Sequence, residues 1–95
     1  MTTPVILYTT SVCPYCVQAK TLLKNKGVAY QEINMQTLSS DDRQALMAKT
    51  NNYRTVPQIF IGDEFVGGFD QLAALERAGA LDAKLAGWFL TTIKL

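Results

Sequence analysis

Ninety-five residues with two cysteines and no histidine make one small domain, residues 1–95, well below the size at which cores split. Hydrophobic residues supply 48% and charged residues 18%, which excludes the polar, highly charged mixture of disordered chains. Nine Lys and Arg against eight Asp and Glu leave a formal charge of +1, and the basic residues are scattered, so nucleic acid finds no electrostatic footprint.

Two cysteines cannot complete a four-ligand zinc site within one chain, and the lack of histidine removes His-metal sites and His-activated nucleophiles. No metal is therefore expected, and the chemistry must be that of thiols or carboxylates. The start of the chain has neither a basic segment nor a signal-length apolar stretch. No segment approaches the ~20 apolar residues of a membrane span. A soluble, cytoplasmic protein with no membrane partner is the expectation.

The run Val5-Ile-Leu-Tyr8 is apolar without alternation and reads as a central strand buried on both faces. From Pro14 the period becomes helical, with Val17, Ala19, Leu22 and Leu23 on one face and Gly27 as the stop. Val28-Ala-Tyr-Gln-Glu-Ile-Asn34 reads as a second strand. Ser39 and Asp42 form a capping signal for a helix through about Thr50 that carries Ala45, Leu46 and Met47. A loop, Asn51-Asn-Tyr-Arg-Thr-Val-Pro57, precedes Gln58-Ile-Phe-Ile61 and Glu64-Phe-Val66, which flank the hairpin turn Gly62-Asp63. After Gly67-Gly68, Asp70 can cap a helix bearing Leu72, Ala73, Leu75 and Ala78, which Gly79 ends. Helical spacing resumes from Leu81 to about Leu85, and an apolar extension follows from about residue 86, Trp88-Phe-Leu-Thr-Thr-Ile93. That tail is expected to fold back on a monomer rather than to form a dimer contact. The order β-α-β-α-β-β-α predicts an α/β fold: a four-stranded mixed sheet flanked by helices, with a right-handed parallel crossover first and an antiparallel hairpin last.

The chemistry concentrates at Cys13-Pro14-Tyr15-Cys16. The pair stands where a buried strand gives way to a helix, and Pro14 occupies the first turn, where a missing N–H costs nothing. Cys13 thus meets the free N–H groups and positive dipole end that favour an anion. Residues one turn apart have Cα atoms about 5–5.5 Å apart, inside the roughly 4.4–6.8 Å that a disulfide requires. A thiol moved from ~8.5 to ~5 gains roughly thirtyfold in thiolate fraction and loses a similar factor in intrinsic nucleophilicity. The advantage is therefore in departure from a mixed disulfide, which marks a catalyst of thiol–disulfide exchange with Cys16 as the resolving thiol. The bland alternative is a pair of inert core cysteines. Tyr15 is expected at the site's edge, whereas Tyr8 fits core or rim.

With the pair placed, the chain from about Val5 to Leu85 resembles the dithiol glutaredoxins, proteins of thioredoxin-like fold that use glutathione. Three motifs carry the resemblance: Cys13-Pro14-Tyr15-Cys16, Thr55-Val56-Pro57, and Gly67-Gly68 followed by Asp70. It implies catalysis by Cys13 and Cys16, with Pro14, Tyr15 and Pro57 in support. It also implies a cis bond before Pro57, which an isolated Val-Pro would not suggest, and which leaves the Val56 backbone free to pair with a substrate. The implied glutathione contacts are Thr55, Val56, Gly68, Phe69 and Asp70, with Arg54 and Gln44 as candidates for the glycine carboxylate. Asp70 can serve as cap, ligand or both. Two charges common among relatives are replaced here, by Thr10 and Gln71, and this should weaken glutathione binding, each exposed ion pair being worth about 0–1 kcal/mol. The implied partners are glutathione and proteins bearing disulfides or glutathione adducts. The alternatives are a reductant served by thioredoxin reductase and an iron–sulfur carrier with glutathione as co-ligand, against which Pro14 counts.

Overall fold

A computed structural model describes residues 3–86; the expected apolar extension lies outside them. The chain runs β1 (Val5–Thr9), α1 (Pro14–Asn25), β2 (Gln31–Asn34), a 3₁₀ turn (Met35–Thr37), α2 (Ser40–Lys49), β3 (Gln58–Ile61), β4 (Glu64–Gly67), α3 (Phe69–Arg77) and α4 (Leu81–Ala86). The sheet order is β2-β1-β3-β4, with β1 parallel to β2 and antiparallel to β3, and β3 antiparallel to β4. This is the expected mixed sheet. No helix among the described residues is long and apolar enough to cross a membrane.

The central strand differs from expectation in its faces. Val5, Leu7 and Thr9 are buried, whereas Ile6 and Tyr8 are half-buried, so the all-apolar run alternates in environment because the two faces of the sheet are covered unequally. The first face carries the main core: Val5, Leu7, Ile59 and Ile61 pack with Ala19 and Leu23 of α1, Leu72 of α3, and Leu81 and Leu85 of α4. The second face carries a run of aromatic contacts. Tyr8 meets Phe60 at 5.8 Å between ring centroids, Phe60 meets Phe65 at 5.2 Å, and Phe65 meets Tyr53 edge-on at 5.1 Å.

Punctuation read from the sequence falls where expected. Ser39 caps α2 by accepting a bond from the Asp42 N–H at 3.1 Å, and Gly27 and Gly79 follow α1 and α3 with positive φ. The Lys26 ammonium, at the end of α1, pairs with Glu76 at 2.8 Å and Asp82 at 2.7 Å, tying α1 to α3 and α4. Four details depart. The buried face of α1 is Cys16, Ala19 and Leu23, and Val17 points to solvent. Strand β2 starts at Gln31, because pairing with β1 begins at Ile6↔Gln31; Val28 and Tyr30 pack against the core outside the ladder. Ala45 and Ala78 are exposed, leaving Leu46 as the buried residue of α2.

The register positions the site. Tyr8 opposes Gln58 and Ile59 opposes Gly67, so the end of β1, the start of β3 and the end of β4 share one edge of the sheet. The segments beyond them hold the cysteines, Thr55-Val56-Pro57 and Gly68-Phe69-Asp70.

Candidate active site

Cys13 is the N-cap of α1, with Pro14 in the first turn. The two cysteines are joined in a disulfide with Cα atoms 5.2 Å apart, as the one-turn spacing predicts. The Cys16 N–H points at Cys13 Sγ from 3.1 Å, so a backbone donor already faces the position where negative charge would collect on a thiolate. Cys16 is 2% exposed, whereas Cys13 is half-buried. Only the first sulfur is open to a partner.

Across from the pair, the Val56–Pro57 peptide bond is cis, as the resemblance implies, and Cys13 Sγ lies 3.7 Å from the Val56 carbonyl oxygen. A groove of about 250 Å³ opens beside them, lined by Tyr15, Tyr53, Thr55, Val56, Pro57, Gly68, Phe69, Asp70 and Gln71. It gathers most of the expected residues at one place. Arg54, exposed in the loop, and Gln44, exposed on α2, are not among the lining residues.

The groove's far wall is the start of α3. Its N-cap is Gly68, and Asp70 sits in the first turn instead of capping it. The reason is local: the Gln71 side-chain oxygen accepts a bond from the Gly68 N–H at 2.8 Å, which fixes the helix entry two residues before Asp70. An acidic residue in a first turn still favours the helix electrostatically. Tyr15 stacks on Phe69, with centroids 6.3 Å apart, and so joins the cysteine segment to this wall.

Sequence reasoning missed two supports. Gln58 is 2% exposed, and its side-chain amide donates to the carbonyls of Tyr53 at 3.0 Å and Thr55 at 3.2 Å, pinning the loop that supplies Thr55 and Val56. Its own Oε1 has no hydrogen-bond partner among the described residues. Tyr53 backs Gly68 so closely that a Cβ on that glycine would lie 2.7 Å from the Tyr53 hydroxyl. A polar residue leading an apolar strand and an aromatic residue in a polar loop were the available signals.

At the edge of the site, buried Thr9 donates its hydroxyl to Glu32 Oε2 at 2.8 Å, and Lys20 pairs with the same carboxylate at 3.1 Å. The Thr9 bond first, then the Lys20 bond, hold the Glu32 carboxyl below its usual range. A larger depression of about 760 Å³ lies at the Val5 end of β1, with Lys26 and Asp82 among its lining residues. These two are engaged with each other, and no cysteine lines it.

An accessible sulfur capping a helix, a buried partner one turn on, and a cis proline across the gap are what thiol–disulfide oxidoreductases of the thioredoxin-like fold are built from. Comparison with known proteins narrows this class. The glutaredoxin family model matches residues 5–66. A glutaredoxin of Pseudomonas aeruginosa is 52% identical over 83 residues, covering 87% of this chain and 96% of that one. Glutaredoxin 1 of Rickettsia felis is 43% identical over 83 residues, covering 87% and 81%. Among solved structures, a buckwheat glutaredoxin–glutathione complex superposes with a TM-score of 0.76 at 33% identity, over 87% of this chain and 76% of that one. The solution structure of a Brucella melitensis glutaredoxin gives 0.75 at 44% identity over 90% of each. The chain belongs to the glutaredoxin family, in its dithiol branch.

Proposed function

We propose that the protein reduces protein disulfides and protein–glutathione mixed disulfides at the expense of glutathione, in a reducing, cytoplasmic compartment. The observation that carries this is the pairing of an open Cys13 sulfur, bonded by the Cys16 N–H at 3.1 Å, with a groove that ends at a helix N-terminus. The buckwheat relative, solved as a complex with glutathione, supports a tripeptide in the equivalent groove.

Cys13 as thiolate attacks a substrate disulfide. One S–S bond forms to Cys13, one breaks, and the displaced sulfur leaves as a thiolate that takes up a proton. A mixed disulfide between Cys13 and glutathione is then opened by a second glutathione, which releases glutathione disulfide and expels Cys13. A mixed disulfide with a protein is opened instead by Cys16, whose attack forms the Cys13–Cys16 bond seen here. Glutathione reverses that bond by attacking Cys13, with Cys16 leaving. Since the Cys16 N–H and the helix end stabilise Cys13 as an anion, they speed each step in which it departs. In the groove, the backbone at Val56 offers strand-like pairing, Thr55 flanks it, and the N–H groups of Phe69 and Asp70 after Gly68 hold the γ-glutamyl carboxylate. Pro14 and Tyr15 shape the rim, and Arg54 and Gln44 attract the glycine carboxylate from outside the groove.

The test is turnover coupled to glutathione and its reductase. C13S should abolish activity on every substrate. C16S should retain removal of glutathione from a mixed disulfide and lose reduction of a protein disulfide. Equal loss in both variants refutes the division of roles, and turnover with thioredoxin reductase but none with glutathione refutes the choice of reductant.

A further inference from the structure

At a helix entry, apolar side chains one residue before the cap and four residues after it ordinarily pack on each other as a staple. Here those positions are Val12 and Val17, on either side of the Cys13 cap. Both are apolar, yet Val12 is 91% exposed and Val17 55%. The staple is present in the sequence and open in the fold. A polar clamp accounts for this: Ser11 Oγ donates to Gln36 Oε1 at 2.9 Å and accepts from Asn34 Nδ2 at 3.2 Å, and the Gln36 N–H bonds Asn34 Oδ1 at 2.8 Å. Residue 11 is thereby held to the end of β2, and Val12, next in the chain to Cys13, is left exposed. Tyr15, between the two cysteines and itself 57% exposed, stacks on Phe69 in the groove wall.

We propose that Val12 and Val17 form a recognition surface for polypeptide substrates whose cysteine is flanked by apolar side chains. This rests on the function proposed above and adds a substrate preference to it. The occupant follows from the chemistry: a partner that bonds to Cys13 must bring its flanking residues past Val12, the chain neighbour of that sulfur's residue, and Val17, one turn along the helix that Cys13 caps. The substrate residue takes the place that the closed staple would fill, and its burial adds to transition-state binding. A small mixed disulfide has no flanking residues and gains nothing.

The test compares three substrates in the glutathione-coupled assay: a peptide–glutathione mixed disulfide with leucine on both sides of its cysteine, the same peptide with serines there, and the mixed disulfide of glutathione with 2-mercaptoethanol. The native protein should favour the leucine peptide over the serine peptide by about tenfold in kcat/KM, a factor within reach of covering one aliphatic side chain. V12S and V17S should each cut that preference to about threefold or less and leave the mercaptoethanol substrate within about twofold, and V12L should keep the preference. A native protein without preference, or a V12S variant slowed equally on all three substrates, would overturn the proposal. Sedimentation showing a dimer that V12S dissolves would assign the surface to a second copy and also overturn it. Absence of turnover with the mercaptoethanol substrate would defeat the proposed function itself and is thereby distinguishable.

Discussion

Adding one methyl group to Gly68 tests how the groove is built. In Gly68→Ala the new Cβ would stand 2.7 Å from the Tyr53 hydroxyl, where ordinary contact starts at 3.4 Å, while the Pro57 carbonyl at 3.6 Å is undisturbed. Tyr53 must yield, and it cannot recoil into the sheet, because Phe65 braces its ring at 5.1 Å and Phe60 braces Phe65 at 5.2 Å. Overpacking of this kind costs about 1–3 kcal/mol. The remaining direction is into the groove of about 250 Å³ that Tyr53 lines. If about 1.4 kcal/mol of that cost falls on the glutathione complex, KM for glutathione rises about tenfold. The rate with dithiothreitol, which needs no groove, should change less than about twofold. Tyr53→Phe removes the offending oxygen, so the G68A/Y53F double variant should recover to within about threefold of Y53F alone, a coupling that two independent defects would not show. The assay is steady-state turnover over a glutathione series. An unchanged KM in G68A, or a double variant as impaired as G68A, would show that Tyr53 does not bound the glutathione site.

Other outcomes follow from the supports of the site. The Glu32 carboxyl is held down chiefly by Thr9 and next by Lys20, so its contribution to stability is present above the carboxylate's unfolded pKa and is lost as pH falls through its lower folded value. Urea midpoints should therefore decline below about pH 4.5. The Thr9→Val variant, near in shape, should lose about 1 kcal/mol at neutral pH and show a shallower acid decline; an equal decline in both proteins would refute the role of this bond. Replacing Gln58 by Met removes both bonds to the loop carbonyls, a loss of about 1–2 kcal/mol softened by removal of an unpartnered buried oxygen. Urea denaturation should show that loss, together with a raised KM for glutathione; a destabilised variant with native KM would separate the loop from the groove.

Much of this architecture is legible in the sequence because short-range rules write it. Gly27, Ser39, the Gly62-Asp63 turn and Gly79 mark ends that the backbone itself requires, and Cys13 at a strand-to-helix change reads as a cap before any tertiary contact is known. The misreadings share another cause, contacts made at a distance. Val17 fits the apolar period of α1, but that helix turns Cys16, Ala19 and Leu23 toward the sheet. Val28 and Tyr30 alternate in the sequence as a strand would, yet they pack half-buried against the core ahead of the first ladder pair, Ile6↔Gln31. Asp70 is an excellent cap in isolation and loses that position to Gly68 through one side-chain bond from Gln71. Tyr53 acquires its meaning from Gly68, and Gln58 from carbonyls that it reaches only when the loop turns back.

The hairpin turn at Gly62-Asp63 joins the end of β3 to the start of β4, so it stands at the opposite rim from the sulfur, with Asp63 exposed. A reporter dye or a surface linkage attached at Asp63 would hold the molecule by its inert end and leave the reactive face outward. A sensor electrode coated in this way would carry a uniformly oriented layer, every copy turned toward the solution whose thiol status it reads.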